Sequence, residues 1–191
     1  MNELLDYFKQ TISISSEIEN KLSEVIKEKT FVKGEIILSD NSIKKEHIFV
    51  ASGCLRSFYK TENGKEYTIQ FAINNWWISD YMTLYSDAKS SISIESLTPS
   101  KVFILDKNNV DKLYKEHPAF EAFQRKNFEK RIAILQKRIL SLLTLSASEK
   151  YDQFLKDYSD FEKIIPNYQI ASYLGITPQS LSRIRKERIR N

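Results

Sequence analysis

The chain has 191 residues, of which 41% are hydrophobic and 28% are charged, with a formal net charge of +4; these values are typical of a globular protein of one or two domains. The single cysteine, Cys54, excludes an intramolecular disulfide and a cysteine-rich zinc or iron–sulfur site. A reducing compartment is therefore expected, and because the first residues are acidic and no apolar run is long enough for a membrane helix, we predict a cytoplasmic protein without a membrane partner.

The first half of the chain changes from a helical to an extended pattern. Ser16 and Glu19 have capping-box spacing before apolar residues at helical intervals, which predicts a helix over 16–27. Short runs rich in β-branched and aromatic residues follow at 31–38, 47–51, 55–59, 66–71, 91–97 and 101–105. Asn63-Gly64 is typical of a tight hairpin. Short strands without alternating helices predict an antiparallel sandwich or barrel.

Helical spacing takes over after Leu105. Val110 and Leu113 belong to a predicted short helix that ends before Pro118, because proline disfavours helix at the preceding residue and suits a helical first turn. A long helix is predicted over 118–145. Its apolar stripe has alternating spacings of four and three residues, at Phe128, Ile132, Leu135, Ile139 and Leu142.

Such a stripe is typical of a helix that pairs with another helix, and the simplest partner is the same helix of a second subunit. A second apolar set lies off the stripe, at Ile134, Leu140, Leu143 and Leu145. One face can then pack on the strands while the other meets the partner. The pattern also fits a buried helix of a monomer; our prediction is a homodimer with the stripe as its interface.

The C-terminal segment has the pattern of two short helices joined by a turn. Ser146 and Glu149 form a capping box that begins a new helix. Beyond Pro166, apolar residues are spaced to bury the inner faces of two further helices, at Ile170, Leu174, Ile176, Leu181 and Ile184. Gly175 suits the positive φ at a helix end, and Thr177-Pro178 suits the N-cap and first position of the next helix. With the small Ala171 at the close approach, this pattern predicts a helix-turn-helix.

The second helix of this motif is polar or basic on its outward side. Residues 183–191 contain five basic residues and one acidic residue, so the remaining 24 basic and 24 acidic residues cancel. Such a face suits base edges and phosphates and predicts double-stranded DNA as a partner. Gln179 and Arg183 are the predicted base readers, since Gln pairs with adenine and Arg with guanine. The predicted DNA-binding residues are Thr177, Gln179, Ser180, Ser182, Arg183, Arg185, Lys186 and Arg188.

The order of β-barrel, long helix and C-terminal helix-turn-helix resembles the Crp/Fnr family of transcription regulators. Local support comes from the segments SASEKY at 146–151, IASYLGIT at 170–177 and LSRIR at 181–185. The resemblance implies an α+β fold with a cyclic-nucleotide-binding-like jelly roll over 1–117, a dimerisation helix over 118–145 and a helix-turn-helix domain over 146–191. It also implies a homodimer whose barrel senses a small effector and whose long helices relay the signal to helices that read an inverted repeat, with RNA polymerase as a further partner.

Two departures from this family are visible. Members that bind cyclic AMP present an arginine to its phosphate, whereas the comparable segments here read WWISDYM at 76–82 and KSSI at 89–92. A lysine does not reproduce the arginine fork, so the sequence argues against a cyclic-nucleotide cofactor. The expected effector contacts are Ser79, Asp80, Lys89, Ser90 and Ser91. The family's wing after the second helix is also truncated, and Arg188 and Arg190 are expected to replace part of its contacts.

Enzymatic activity is not expected. The four glycines are far apart, and the two histidines lie 70 residues apart, at 47 and 117. A phosphate-binding loop and the converging metal ligands of a cupin-type enzyme are therefore missing, so we predict no catalytic residue and no metal site. The competing hypothesis is a ligand-sensing β-barrel module that acts through protein partners, which would leave the basic outward face unexplained.

Overall fold

The computed structural model describes residues 2–190, which contain eight strands and eight helices. The strands are β1 (Ile26–Phe31), β2 (Ile36–Leu38), β3 (Glu46–Ser52), β4 (Leu55–Lys60), β5 (Glu66–Ala72), β6 (Trp76–Ile78), β7 (Ile92–Ser96) and β8 (Ser100–Asp106). The helices are α1 (Asn2–Lys9), α2 (Ser16–Val25), α3 (Tyr81–Leu84), α4 (Lys107–Glu116), α5 (Pro118–Thr144), α6 (Ala147–Tyr158), α7 (Asn167–Leu174) and α8 (Pro178–Arg190).

The strands form two four-stranded sheets, ordered β1-β8-β3-β6 and β2-β7-β4-β5. The pairs β1·β8, β3·β8, β3·β6 and β2·β7 are all antiparallel. Strands distant in sequence are neighbours, as in a jelly roll. The predicted α+β fold with an N-terminal antiparallel β-barrel is confirmed.

The first sheet has a buried cluster on each face, because side chains alternate along a strand. Ile48 and Val50 belong to the cluster shared with the second sheet, whereas Phe49 belongs to the cluster shared with the helices. The helix-side cluster also includes Leu4, Leu5, Phe8, Leu22, Val110, Leu113, Phe120 and Phe123. Burial of these apolar side chains holds α1, α2, α4 and the start of α5 against the sheet.

Several predicted boundaries are corrected. The cap of α2 is Ser15, whose hydroxyl accepts from the Ile18 N–H at 3.4 Å, so the predicted cap at Ser16 is one residue late. The helix ends at Val25 because Ile26 begins β1 and pairs with Leu105. The predicted strand over 31–38 is wrong, since β1 ends at Phe31, β2 begins at Ile36, and a turn lies between them.

Other elements follow the sequence pattern, while three were not anticipated. The hairpin before β5, the start of α5 at Pro118 and the order of the three C-terminal helices are as predicted. The capping box is also confirmed, since the Ser146 N–H donates to Glu149 Oε2 at 2.8 Å. The short elements β6 and α3 and the N-terminal α1 were not predicted. β6 and α3 span only three and four residues, which is too short for a periodic pattern, and α1 packs on the helix-side cluster through Leu4, Leu5 and Phe8.

The chain divides into two compact units. The first comprises the residues up to Phe58 together with Gln70–Phe128, and the second comprises Tyr59–Ile69 and the residues from Glu129 onward. The second unit therefore joins the tip of the β4–β5 hairpin to the rest of α5 and to the three C-terminal helices. The division at 117/118 and 145/146 stays a prediction. Across residues 2–190, we find no helix with both the length and the apolar character that crossing a bilayer requires.

Candidate nucleic-acid interface

The turn between α7 and α8 is left-handed at Gly175. This residue has φ 65° and ψ 33°. The Gly175 N–H donates to the Ser172 carbonyl at 3.2 Å, and the Ile176 N–H donates to the Ala171 carbonyl at 3.0 Å. These two bonds form a Schellman motif, which satisfies carbonyls at the end of α7. The predicted positive φ at Gly175 is confirmed.

Thr177 caps the start of α8. Its Oγ1 accepts from the Ser180 N–H at 3.2 Å, and its carbonyl accepts from the Leu181 N–H at 3.1 Å. The Thr177 hydroxyl also lies 3.0 Å from the Ser180 hydroxyl. Pro178 is the first helical residue, where its missing N–H costs nothing. The predicted N-cap at Thr177 is therefore confirmed. Thr177 accepts the capping hydrogen bond, and Ser180 donates it.

The C-terminal helices share an apolar core. Ile170, Ala171 and Leu174 of α7 are buried, as are Leu181 and Ile184 of α8. From α6 the core receives Tyr151, Phe154 and Tyr158. Because each buried residue of α8 lies on one side of the helix, the opposite side is available to solvent.

That opposite side is the outer face of α8, which we define as Gln179, Ser182, Arg183 and Lys186. These residues have the spacing i, i+3, i+4, i+7 of a single helical face, and all four are exposed. In the described part of the chain their side chains make no hydrogen bond or ion pair with other residues, whether to a carboxylate or to a carbonyl. The outer face thus presents two cations and two neutral polar groups without internal partners.

The other two predicted DNA-binding arginines lie off the outer face of α8 and have acidic partners, although Arg188 is exposed. Arg185 forms an ion pair with Glu162, and Arg188 forms one with Asp152. A helix turns by about 100° per residue, so a side chain two positions from Arg183 points to nearly the opposite side. Helical spacing alone could have separated Arg183 from Arg185; the basic composition of the segment hid this difference.

The tip of the β4–β5 hairpin is bonded to α7 through Ser172. The Ser172 hydroxyl accepts from the Thr68 N–H at 2.9 Å and donates to the Glu66 carbonyl at 3.0 Å. Both backbone groups belong to β5, which is the edge strand of the sheet β2-β7-β4-β5. Ser172 therefore satisfies the edge of β5 as a neighbouring strand would.

Arg138 of α5 adds a second connection to the same place. Its Nη2 donates to the carbonyls of Thr68 at 3.1 Å and Tyr173 at 3.2 Å, and its Nη1 donates to the Ile69 carbonyl. The guanidinium carbon also lies 4.2 Å from the centre of the Tyr173 ring. Burial lowers the pKa of Arg138 from its usual value. Neither Ser172 nor Arg138 was singled out by the sequence, because a contact to a backbone carbonyl leaves no residue pattern.

An open groove runs beside the start of α8. Its volume is about 680 Å³, and its lining includes Lys65, Tyr67, Tyr168, Ser172, Thr177 and Pro178. The groove leaves the N-terminal end of α8 accessible from the hairpin side.

In the first unit, the expected effector contacts are brought together only in part. Asp80 is buried and caps α3, where its Oδ1 accepts from the N–H groups of Met82 and Thr83 at 3.0 and 3.3 Å. Its Oδ2 accepts from the Thr83 hydroxyl at 2.9 Å and the Ser90 hydroxyl at 2.6 Å. Both carboxylate oxygens of Asp80 thus already have donors.

The other expected effector contacts do not join this cluster. The Ser79 hydroxyl donates to the Ile78 carbonyl at 2.7 Å. Lys89 is exposed and Ser91 is half-buried. The structure therefore places Asp80 and Ser90 in direct contact, whereas Lys89 remains at the surface.

The jelly roll holds a buried arginine that the sequence did not single out. Arg56 of β4 is 1% exposed, and its Nη2 lies 2.7 Å from Oε1 of Glu95 on β7. Its guanidinium carbon lies 4.2 Å from the centre of the Phe58 ring. Since Glu95 already neutralises Arg56, an anionic effector would have to compete with that carboxylate. The described residues include no group of three or more His, Cys, Asp or Glu side chains arranged to hold a metal ion.

The apolar stripe of α5 is largely exposed in the single chain. The exposed fractions are 57% for Ile132, 41% for Leu135, 57% for Ile139 and 38% for Leu142. Phe128 is half-buried, with its ring 5.7 Å from that of Tyr81. The off-stripe residues Ile134, Leu140 and Leu143 are exposed as well, so α5 presents apolar surface on more than one side.

The comparisons with known proteins agree with this architecture. Residues 28–117 match the family model of the cyclic nucleotide-binding domain. FixK2 from Bradyrhizobium japonicum superposes with a TM-score of 0.73 at 16% identity, covering 85% of this chain and 84% of that chain. A crp/fnr-family regulator from Eubacterium rectale gives 0.73 at 17% identity, with coverages of 97% and 88%.

The chain is Crp/Fnr-like in fold. A mutant of CooA from Carboxydothermus hydrogenoformans has the same fold, with a TM-score of 0.71 at 19% identity and coverages of 94% and 81%. No curated protein sequence matches the chain. The Crp/Fnr-like architecture combines an N-terminal cyclic nucleotide-binding domain with a C-terminal helix-turn-helix, as the order of elements predicted.

Proposed function

We propose that the chain is a homodimeric, sequence-specific DNA-binding transcription regulator whose N-terminal domain senses a small effector. The outer face of α8 is the observation that carries this proposal. It lies on the second helix of a helix-turn-helix, it is fully polar, and its two cations have no counter-charge among residues 2–190. A helix of this kind fits the major groove and can use its side chains on base edges and phosphates.

Roles for the outer face follow from its chemistry. Gln179 and Arg183 are one helical turn apart, and they are the proposed base readers, for adenine and guanine respectively. Lys186, two helical turns from Gln179, is the proposed phosphate contact, since an ammonium group is a point charge on a flexible stem. Ser182 lies between them and can bond to either kind of group.

The exposed stripe of α5 supports the homodimer. An apolar helix face of this length needs a partner, and a second copy supplies a matching face through a two-fold axis. Two copies would present two α8 helices to the same side of a duplex. The bound site should then be an inverted repeat with half-site centres roughly 34 Å apart, about ten base pairs.

The effector proposal is limited to a small molecule bound in the N-terminal domain near Ser79, Asp80, Lys89, Ser90 and Ser91. The internal hydrogen bonds of Asp80 and the pairing of Arg56 with Glu95 favour an effector that is not recognised as a cyclic nucleotide phosphate. The same proposal includes contact with RNA polymerase and transmission of the effector signal through α5.

Selection of bound duplexes from random DNA tests the function. The selected duplex is then titrated at two salt concentrations with the native protein, with Arg183→Ala and with Lys33→Ala, which removes one charge from an exposed residue of the first unit. We expect a palindromic site, weaker binding at high salt, and relaxed preference at one base position for Arg183→Ala only. If no sequence is enriched, or if both variants behave alike, the competing hypothesis of a protein-binding module is favoured.

A further inference from the structure

Arg185 has a different environment from the arginine two positions before it. Its side chain is 24% exposed, and that of Glu162, its ion-pair partner, is 15% exposed. Arg183, in contrast, is exposed and belongs to the outer face of α8. The two guanidinium groups therefore lie on nearly opposite sides of the helix, and only one of them is directed toward solvent.

The Arg185 guanidinium makes two hydrogen bonds and one ion pair within the second unit. Nε donates to the Tyr151 hydroxyl at 2.9 Å, Nη1 donates to Asn167 Oδ1, and Nη2 pairs with Glu162 Oε1. The Tyr151 hydroxyl donates in turn to the same Glu162 oxygen at 2.6 Å. The partners belong to α6, to α7 and to the segment between them. Arg185 thus ties α8 to both neighbouring helices through one closed network.

This network opposes a direct role of Arg185 on DNA. A phosphate contact would require Arg185 to leave Glu162, and the carboxylate would then remain without its cation in a mostly buried position. Arg183 and Lys186 can meet a phosphate or a base without breaking any such pair. The cost of disruption therefore keeps Arg185 in place while the outer face meets the duplex.

We propose that Arg185 is a positioning residue for DNA recognition, which fixes the angle of α8 through Tyr151, Glu162 and Asn167. This inference rests on the proposed DNA-binding function. A bidentate contact to a base edge depends on the direction of the side chain, so a change in helix angle displaces Gln179 and Arg183 together. Loss of the network should weaken binding without changing the number of phosphates that the protein neutralises.

The test uses the full chain and its selected duplex, with Arg185→Gln, Glu162→Gln and the double variant. We expect each single variant to raise Kd by about tenfold, the double variant to add little more, and the slope of log K against log salt to stay at the native value. The Glu162→Gln result is decisive, because removing a negative charge would tighten DNA binding if only electrostatic attraction mattered. Arg185→Lys should not restore binding, since one ammonium group cannot satisfy three acceptors in a planar arrangement.

Lys186→Gln is the matched control, because it removes one charge from the outer face of the same helix. For this variant, the slope of log K against log salt should be smaller in magnitude by about 0.9. Near-UV circular dichroism identifies a temperature at which the variants are folded. If Arg185→Gln does not fold at any temperature, the comparison is made with Arg185→Lys and Glu162→Gln. A reduced slope for Arg185→Gln, or tighter binding by Glu162→Gln, would overturn the inference. Unchanged binding by both Arg183→Ala and Lys186→Gln would instead contradict the proposed function.

Discussion

Arg183 and Arg185 carry the same side chain two positions apart, and the geometry of the helix gives them opposite surroundings. Arg183 is exposed, whereas Arg185 is held by Glu162. The local charge of the segment therefore overstates its unpaired positive charge, since Arg188 is also paired, with Asp152. At the scale of single residues, placement on a helical face decides which partners a side chain has more than residue type does.

Gly175 combines a required backbone angle with a close neighbour. Its φ is +65°, and a Cβ at this position would lie 3.2 Å from Leu142 Cδ2. Gly64 also has a positive φ, +81°, but a Cβ there would have no atom within 4 Å. The two glycines therefore share the backbone constraint and differ in the space around them.

We predict that Gly64→Ala lowers the free energy of unfolding by about 1 kcal/mol, the low end of the cost of a left-handed conformation. Gly175→Ala should lower it further, because Leu142 must move to make room for the new methyl group. Urea-induced unfolding followed by circular dichroism measures both. Equal losses for the two variants would show that the contact with Leu142 costs nothing.

Among the elements, α5 has the surface that a single chain leaves least covered. Four of the five stripe residues are more than a third exposed. Apolar exposure of this kind is normally covered by a partner in a protein of this size. The exposure supports a second copy as the partner, and the heptad-like spacing sets which residues should meet.

Two substitutions in α5, one on the apolar stripe and one off it, test the stripe as the dimer interface. Ile139→Glu places a charge on the stripe, whereas Ala133→Glu places the same charge on an exposed position about 120° away around the helix. We expect Ile139→Glu to shift the protein to a monomer, because a desolvated charge in an apolar interface has no partner, while Ala133→Glu remains a dimer. Sedimentation equilibrium measures the two masses, and a dimeric Ile139→Glu protein would exclude the stripe as the interface.

The sequence predicted the β4–β5 hairpin but not its contacts with α7. Its existence followed from Asn63-Gly64 and the flanking alternation. Its attachment to α7 depends on the Ser172 hydroxyl and the Arg138 guanidinium, which bind backbone groups about 100 and 70 residues away in the chain. Backbone carbonyls are present at every residue, so no sequence pattern could have indicated which of them would be bound.

At the scale of the whole molecule, we expect the pH dependence of stability to involve His47, which is buried beside Trp77. Burial lowers the pKa of His47 from 6.5 to about 4, opposed by the charges of Asp111 and Asp106 and assisted by Lys107. The folded protein holds His47 neutral, while the unfolded chain takes up its proton at an ordinary pKa. Between these two values the unfolded state binds more protons, so stability is lost as the pH falls.

We predict that the free energy of unfolding decreases by up to about 3 kcal/mol between pH 6.5 and pH 4 through this residue, on top of the contribution of the carboxylates. His47→Gln, which cannot take up a proton, should have a flatter profile across this window and an unchanged one above it. Urea titrations at several pH values give the comparison. If the free energy of unfolding changed with pH in the same way for the native protein and the variant, His47 would be excluded as the source of the pH dependence.

The sequence by itself determined the antiparallel sandwich or barrel type of the first half, the change to helices after Leu105, the start of α5 at Pro118 and the turn at Gly175. These features depend on caps, turns and periodicity, which act between residues a few positions apart. Only the tertiary structure decided that Arg56 pairs with Glu95, that Asp80 bonds to Ser90, and that Glu162 is the ion-pair partner of Arg185. The physical reason is that a charged side chain is stabilised by whichever partners folding brings near it, and those partners are distant in the sequence.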